Sequence, residues 1–374
     1  MRFLTLILQI CFCVVAWRVT ADTTSKDWPQ FRGGSELRGV AQTDLPPSPE
    51  VLWIFTTEGP VKSSPVLAEG HLFVGSSDSN LYALKISTGK KVWEFKADAG
   101  IEAPPLFAQG TVYFGTLNGT LYAVNAADGK LKWQYSTADK IGGSPVIITN
   151  NNAAQIIVGS HDYHLHCVDA ATGKSNWVYE TGYYINGTPA INDGNAIFGG
   201  CDAILHVVST VTGTKVKEID AGAYVAASVA IAGGKAYYGH FDNQFVCMDL
   251  AEGKPVWTFR ERNFPYFSSA AVTSDKVLFG GRDKRLHCVK RETGEKIWSF
   301  ATQGKVDSSP VVAGDKVVVG SDDGRVYLVS LDHGKELWSF EIGAAVGSSP
   351  AVADGKFFIG SDDGNVYCFG AKQK

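Results

Sequence analysis

The stretch from Ser308 to Phe340, SSPVVAGDKVVVGSDDGRVYLVSLDHGKELWSF, decides the fold, because its pattern returns along the chain at a spacing near 40 residues. It holds four short runs of strand character: Pro310 to Ala313, Lys316 to Gly320, Arg325 to Ser330 and Lys335 to Phe340. The breaks between them, Gly314-Asp315, Asp322-Asp323-Gly324 and Asp332-His333-Gly334, carry the Gly and Asp that tight turns require. One unit therefore reads as a four-stranded antiparallel meander.

Aligned on the proline of S-S-P, the units begin at Pro65, Pro105, Pro145, Pro189, Val229, Ala270, Pro310 and Pro350, which is eight starts. Aligned on the last residue of G-K-x-x-W they end at Trp93, Trp133, Trp177, Lys217, Trp257, Trp298 and Trp338, which is seven ends. The last unit stops after three strands, while residues 51–55 lie 40 residues ahead of Trp93 as a strand without a unit. The two leftovers complete each other. The sequence therefore predicts an all-β, eight-bladed propeller over residues 51–374, closed by its N-terminal strand on the strand around Asn365 to Phe369.

Residues 1–21 combine an early Arg2, an apolar run and Val19-Thr20-Ala21, and read as a secretory signal peptide. An uncleaved anchor is the alternative, although the run is shorter than the roughly 20 residues a spanning helix needs. Leu8-Gln9-Ile10-Cys11 is a poor lipidation motif. Removing residues 1–21 takes away two arginines and no acids, leaving 32 basic against 38 acidic side chains, a balance that argues against nucleic acid as a partner. The expected location is the periplasm or cell envelope, as a monomer without a transmembrane span in the mature chain. Residues 22–50 form a proline-rich lead whose Trp28 and Phe31 are expected to cover an open apolar end or blade edge, with a partner contact as the alternative.

Cys167, Cys247, Cys288 and Cys368 occupy one register of the third strand in separate blades, too far apart for the α-carbon separation a disulfide demands, and Cys201 stands alone in a loop. No disulfide is expected. The Asp of Gly-Ser-x-Asp, repeated from Asp78 to Asp363, reads as a turn device, and tandem acids such as Asp322-Asp323 lack the other ligands of a calcium loop. No metal site is read from the sequence. His166, His206 and His287 share a third-strand register with Tyr82, Tyr122, Tyr327 and Tyr367 and read as structural. The Trp of G-K-x-x-W should cover the next blade, with a thinner seam where Lys217 replaces it.

The units resemble the pyrroloquinoline quinone (PQQ) type repeat shared by quinoprotein dehydrogenases and the outer-membrane protein assembly factor BamB, and the likeness covers residues 51–370. The resemblance implies an eight-bladed fold and two functional classes. Quinoprotein dehydrogenases carry adjacent cysteines over the quinone, a calcium and a tryptophan floor; this chain has no Cys-Cys pair and its blade loops are minimal. The leading expectation is an exported, non-enzymatic binding or scaffold module, BamB-like, with envelope or outer-membrane-associated proteins as partners and no cofactor. The alternative is a PQQ-dependent dehydrogenase with an atypical pocket, using PQQ and calcium. Neither reading supplies a catalytic residue.

Departures from symmetry locate the candidate site. Four residues before each proline position stands an apolar anchor: Val61, Ile101, Ile141, Ile185, Val225, Tyr266, Val306 and Val346. The next residue varies, and alternation along the chain turns it to the opposite face. Lys62, Glu102, Asn186, Phe267 and Asp307 are therefore expected to ring the channel mouth as a ligand or partner site, the alternative being that they only plug the channel with mutual ion pairs and water. His161, Tyr184, Tyr224, His240, Tyr266 and Arg282 are expected to form its rim.

Overall fold

The computed structural model describes residues 27–150 and 152–372. The signal-peptide reading of residues 1–21 lies outside them. Eight four-stranded antiparallel blades follow one another along the chain, 66–96, 106–136, 146–180, 190–220, 230–259, 271–301 and 311–341 making blades 1 to 7, and blade 7 gains a fifth, parallel strand from Val40–Ala41. Blade 8 takes three strands from 351–370 and its fourth from Glu50–Thr56, which pairs antiparallel with Asn365–Gly370. The predicted closure is thus present, with Phe55 opposite Val366 and Val51 opposite Phe369. In all eight blades the third and fourth strands shift register at the same place, as at Leu328/Val329, a bulge that sharpens the twist of the outer strand.

Packing between blades explains the repeat letters. A Cβ on the first glycine of Gly-Ser-x-Asp would collide with the next blade's anchor: Gly75 with Ile101 at 2.2 Å, Gly320 with Val346 at 2.5 Å, and Gly360 with Val61 at 2.4 Å across the closure. This glycine is required by close approach rather than by its backbone angle. All eight anchors are fully buried. At the outer strand the Trp53 indole donates to the Ile86 carbonyl at 2.8 Å, Trp93 to Ala126 at 2.9 Å and Trp133 to Ala170 at 2.9 Å, each ring lying on the following blade's turn glycine. Lys217 does not leave this slot empty: its ammonium donates to the carbonyls of Leu250 and Ala251 at 3.1 and 2.6 Å.

A ring of hydrogen bonds at the second residue of S-S-P ties the inner strands together. The Ser349 amide donates to Ser64 Oγ at 2.9 Å, Ser309 to Ser349 Oγ, Ser269 to Ser309 Oγ, Ser228 to Ser269 Oγ, Thr188 to Ser228 Oγ, and Ser144 to Thr188 Oγ1. The register breaks at Pro104, which has neither an amide hydrogen nor a hydroxyl.

The lead segment does more than cover one edge. It runs around the axis and bonds the inner strands of six blades and the first turn of blade 8. Trp28 exchanges backbone bonds with Leu67, then the carbonyls of Pro29, Ser35, Glu36, Arg38 and Gly39 accept from Phe107, Ile191, Ile231, Val272 and Val312. Val40–Ala41 pairs in parallel with Val312–Ala313, and Thr43 Oγ1 accepts from Gly355. Arg32 reaches across to the carbonyls of Ala270 and Ser309 at 2.8 and 3.0 Å. Full burial without a carboxylate partner pulls this guanidinium down to about 9, still charged at neutral pH. The four third-strand cysteines are buried and free, and Cys201 is free and half-buried. Among the described residues no helix is long and apolar enough to cross a membrane.

Candidate functional site

The linkers entering each blade and the Gly-Ser-x-Asp loops meet on one face, as their shared hydrogen bonds require. The amide at the third loop position donates to the linker carbonyl before the anchor in every blade, from Ser77 to Pro60 at 2.9 Å through Asp322 to Lys305 at 2.9 Å and Asp362 to Ala345 at 3.0 Å. The loop Asp is the turn device expected: Asp78 accepts from the Asn80 amide at 2.8 Å and from the Tyr82 hydroxyl at 2.8 Å. His166, His206 and His287 take the place of that tyrosine and bond Asp162, Asp202 and Asp283.

At the axis these linkers enclose a cavity of about 180 Å³, lined by Lys62, Glu102, Asn186, Phe267 and Asp307, the five residues the sequence placed at the mouth. Phe31 from the lead segment also lines it. The five do not form one cluster. Lys62 Nζ pairs with Glu102 at 3.0 Å, whereas Asp307 receives a two-pronged contact from Arg282, at 3.1 and 2.9 Å, and a second cation in Lys305 at 3.3 Å. Asn186 donates to Cys201 Sγ at 2.9 Å. The Arg282 guanidinium also lies 4.0 Å over the Phe267 ring.

Two expected rim residues are not on the rim. Tyr266 is fully buried, because it fills the apolar anchor's slot against Gly239 and packs edge-on to Phe279 at 5.2 Å. His240 is also buried, since it stands at the loop position that Ser76 and Ser321 occupy in other blades, one residue short of the rim; burial lowers its pKa. The rim register runs instead through Ser77, Leu117, His161, Cys201, Phe241, Arg282, Asp322 and Asp362. Phe241, Asp322, Asp362 and the linker Lys305 were missed. Moving one residue along from His240 in the loop alignment would have found the first three.

The face divides into two arcs. Over blades 3 to 6 it is aromatic: His161 stacks on Tyr184 at 4.7 Å, Tyr184 meets Tyr183 at 4.3 Å, Tyr183 stacks on Tyr163 at 5.3 Å, and Phe241 meets Phe267 at 4.6 Å and Tyr224 at 6.2 Å. Burial, then nearby Lys140, lowers the His161 pKa, so the ring is neutral at pH 7. Over blades 7, 8, 1 and 2 the face is charged. Lys305 bridges Asp307 and Asp322, the latter at 3.2 Å, and Lys62 pairs with Glu102. Burial raises the Asp362 pKa, with Asp322, Glu102 and Asp363 adding repulsion against the pull of Lys62.

The fold and this face define a PQQ-type repeat propeller with minimal loops. The family model described as outer membrane protein assembly factor BamB matches residues 36–259, 265–341 and 322–374, and the chain belongs to that family. Among solved structures, BamB from Moraxella catarrhalis superposes with a TM-score of 0.73 at 18% identity, over 86% of this chain and all of that one. A quinohemoprotein alcohol dehydrogenase from Pseudomonas putida superposes with a TM-score of 0.78 at 14% identity, over 95% of this chain and 82% of that one. A computationally designed protein, Ika8, reaches 0.76 at 15% identity, over 87% of this chain and all of that one. At such identities the likeness is one of fold. No curated protein matches the chain in sequence.

Proposed function

We propose that this protein is an exported, non-catalytic docking propeller of the cell envelope, acting as a monomer that holds an envelope or outer-membrane-associated protein against its loop face. One observation carries the reading: among the described residues every exposed Phe, Tyr or Trp ring, namely Tyr163, Tyr183, Tyr224, Phe241 and Phe264, lies in the arc of loops and linkers over blades 3 to 6. The other exposed large hydrophobics are mostly isolated aliphatic residues of outer strands and turns. Clustered exposed rings mark contact surfaces, because an aromatic side chain offers much apolar area at little cost in conformational entropy. The mouth residues Lys62, Glu102, Asn186, Phe267 and Asp307 then orient the partner at the axis, with His161, Tyr184, Tyr224 and Arg282 around them.

The quinoprotein alternative has less support. A cavity of about 180 Å³ is smaller than the roughly 300 Å³ and upward of ordinary ligand sites. The one cation of its lining, Lys62, is already paired with Glu102, leaving no free positive charge there for a polycarboxylate quinone, and Arg282 outside the lining is engaged by Asp307.

The test is affinity capture from envelope extracts with the wild type and with a Tyr183→Ala, Tyr224→Ala, Phe241→Ala variant. A discrete envelope partner recovered by the wild type should be lost from the variant by at least tenfold, corresponding to about 1.4 kcal/mol or more, with the melting temperature nearly unchanged. Equal recovery by both proteins would place the contact elsewhere. A melting shift or quinone absorbance on adding PQQ with Ca²⁺ would favour the dehydrogenase.

A further inference from the structure

One loop of the aromatic arc carries more than rings. The strand His164–Asp169 begins with two histidines, at 164 and 166, that alternation places on the same side, and Asp162 sits in the turn just before them. His166 Nε2 stands 3.1 Å from Asp162 Oδ2, and His164 Nδ1 stands 3.4 Å from Asp162 Oδ1. One ligand atom from each of the three residues lies within 4.8 Å of the other two. A tetrahedral zinc ion with bonds of about 2.0–2.1 Å to nitrogen and oxygen holds its ligands about 3.3 Å apart, so two of the three separations already match.

The repeat itself separates this cluster from scaffold. Blades 4 and 6 have the same Asp–His pair, Asp202 with His206 at 2.9 Å and Asp283 with His287 at 3.1 Å, but carry Ile204 and Arg285 where blade 3 has His164. The pair alone is a packing device, and the third donor is particular to blade 3. The remaining nitrogen of His166 is held at 3.0 Å by the Tyr135 hydroxyl, the kind of outer contact that fixes a ligating imidazole. His164 is half-exposed, and its one hydrogen bond is from Nδ1 to the Asp162 carbonyl at 2.7 Å.

We propose that Asp162, His164 and His166 form a binding site for a divalent transition metal of the zinc type, with the fourth position open to water. Two imidazoles and one carboxylate suit Zn²⁺ or Co²⁺ and not Ca²⁺ or Mg²⁺, which take oxygen ligands. Binding requires a tautomer change at each histidine. The His166 proton moves to Nδ1 and is donated to the Tyr135 oxygen, while the His164 proton moves to Nε2 and solvent. Asp162 already accepts as a carboxylate.

The experiment is calorimetric titration of the metal-stripped protein with Zn²⁺, with Co²⁺ absorbance reporting coordination geometry. The wild type should take up one equivalent with a tetrahedral Co²⁺ spectrum and a raised melting temperature. His164→Ile, which installs the residue blade 4 tolerates at this position, should fold normally and lose binding. Tyr135→Phe should weaken binding by about tenfold. Ile204→His in blade 4 should create a second equivalent. A wild type that binds no Zn²⁺, or a His164→Ile variant that binds as the wild type does, overturns the proposal.

Discussion

The aromatic arc over blades 3 to 6 and the charged arc over blades 7, 8, 1 and 2 are built on the same backbone. Each has the buried anchor, the glycine beneath it and the amide-to-linker bond at the third loop position. They differ at two or three side chains per blade, Tyr183, Tyr184 and Phe241 on one side and Lys305, Asp322 and Asp362 on the other. The difference shows how a repeat protein separates its tasks: positions that touch another blade are held constant by packing, and those that touch only solvent are free to specialise. The charged arc satisfies itself with Lys62–Glu102, Arg282–Asp307 and Lys305–Asp322. The aromatic arc leaves rings in water, which is why it is the side assigned to a partner.

The largest effect should come from opening the frame under both arcs. Deleting residues 1–56 removes the fourth strand of blade 8 and the lead that bonds six inner strands and the first turn of blade 8. Both arcs should then fail together, with loss of the cooperative melting transition. A deletion variant that melts like the intact chain would mean that the ring does not need its closure.

Arg282 stands where the arcs meet, paired with Asp307 and lying over Phe267. Arg282→Ala should cost about 1 kcal/mol, because the pair is part-exposed and the ring contact is modest. The loss should shrink in high salt, while Lys62→Ala, whose contact is a single exposed ion pair, should cost less. Equal costs for the two variants in urea unfolding would deny the junction any special role.

A change of similar size and opposite sign is expected inside the aromatic arc. Tyr163 holds φ of 73°, at the loop position where blades 2, 7 and 8 carry Gly119, Gly324 and Gly364. A left-handed backbone costs a side chain about 1–2 kcal/mol relative to glycine. Tyr163→Gly should therefore raise stability by about 1 kcal/mol while weakening partner capture, and a variant that gains stability with capture intact would reduce Tyr163 to an unused surface ring.

The smallest effect belongs to the charged arc. With its folded pKa above the unfolded value, ionised Asp362 opposes folding at neutral pH, and that penalty is relieved as pH falls through the folded pKa toward the unfolded value near 3.9. Asp362→Asn should add about 0.5 kcal/mol or less at pH 7, since solvent reaches much of this partly desolvated carboxylate and screens it, and nothing below about pH 4. A benefit that grows on acidification would reverse the assignment.

Much of this was legible in the chain because repetition turns one blade into eight observations. The mismatch of eight starts and seven ends revealed the closing strand, and the alternation of anchor and neighbour placed Lys62, Glu102, Asn186, Phe267 and Asp307 at the mouth. Tyr266 and His240 were misplaced for reasons of register and space: the first is aromatic yet fills an anchor slot, and the second sits one residue before the rim. His164 escaped notice because its neighbour His166 has a scaffold role in every blade that carries it, and only the distances to Asp162 set the two apart.

By itself, then, the sequence determined the architecture, since strand alternation, turn residues and a 40-residue period are local properties that every blade restates. The tertiary structure alone decided which charges pair, that the lead segment girdles the axis and sends Arg32 across it, and that the loop face is aromatic on one side. Those outcomes depend on which side chains meet across blades up to hundreds of residues apart, as Arg32 meets Ser309 at a separation of 277, and no local pattern encodes such a meeting.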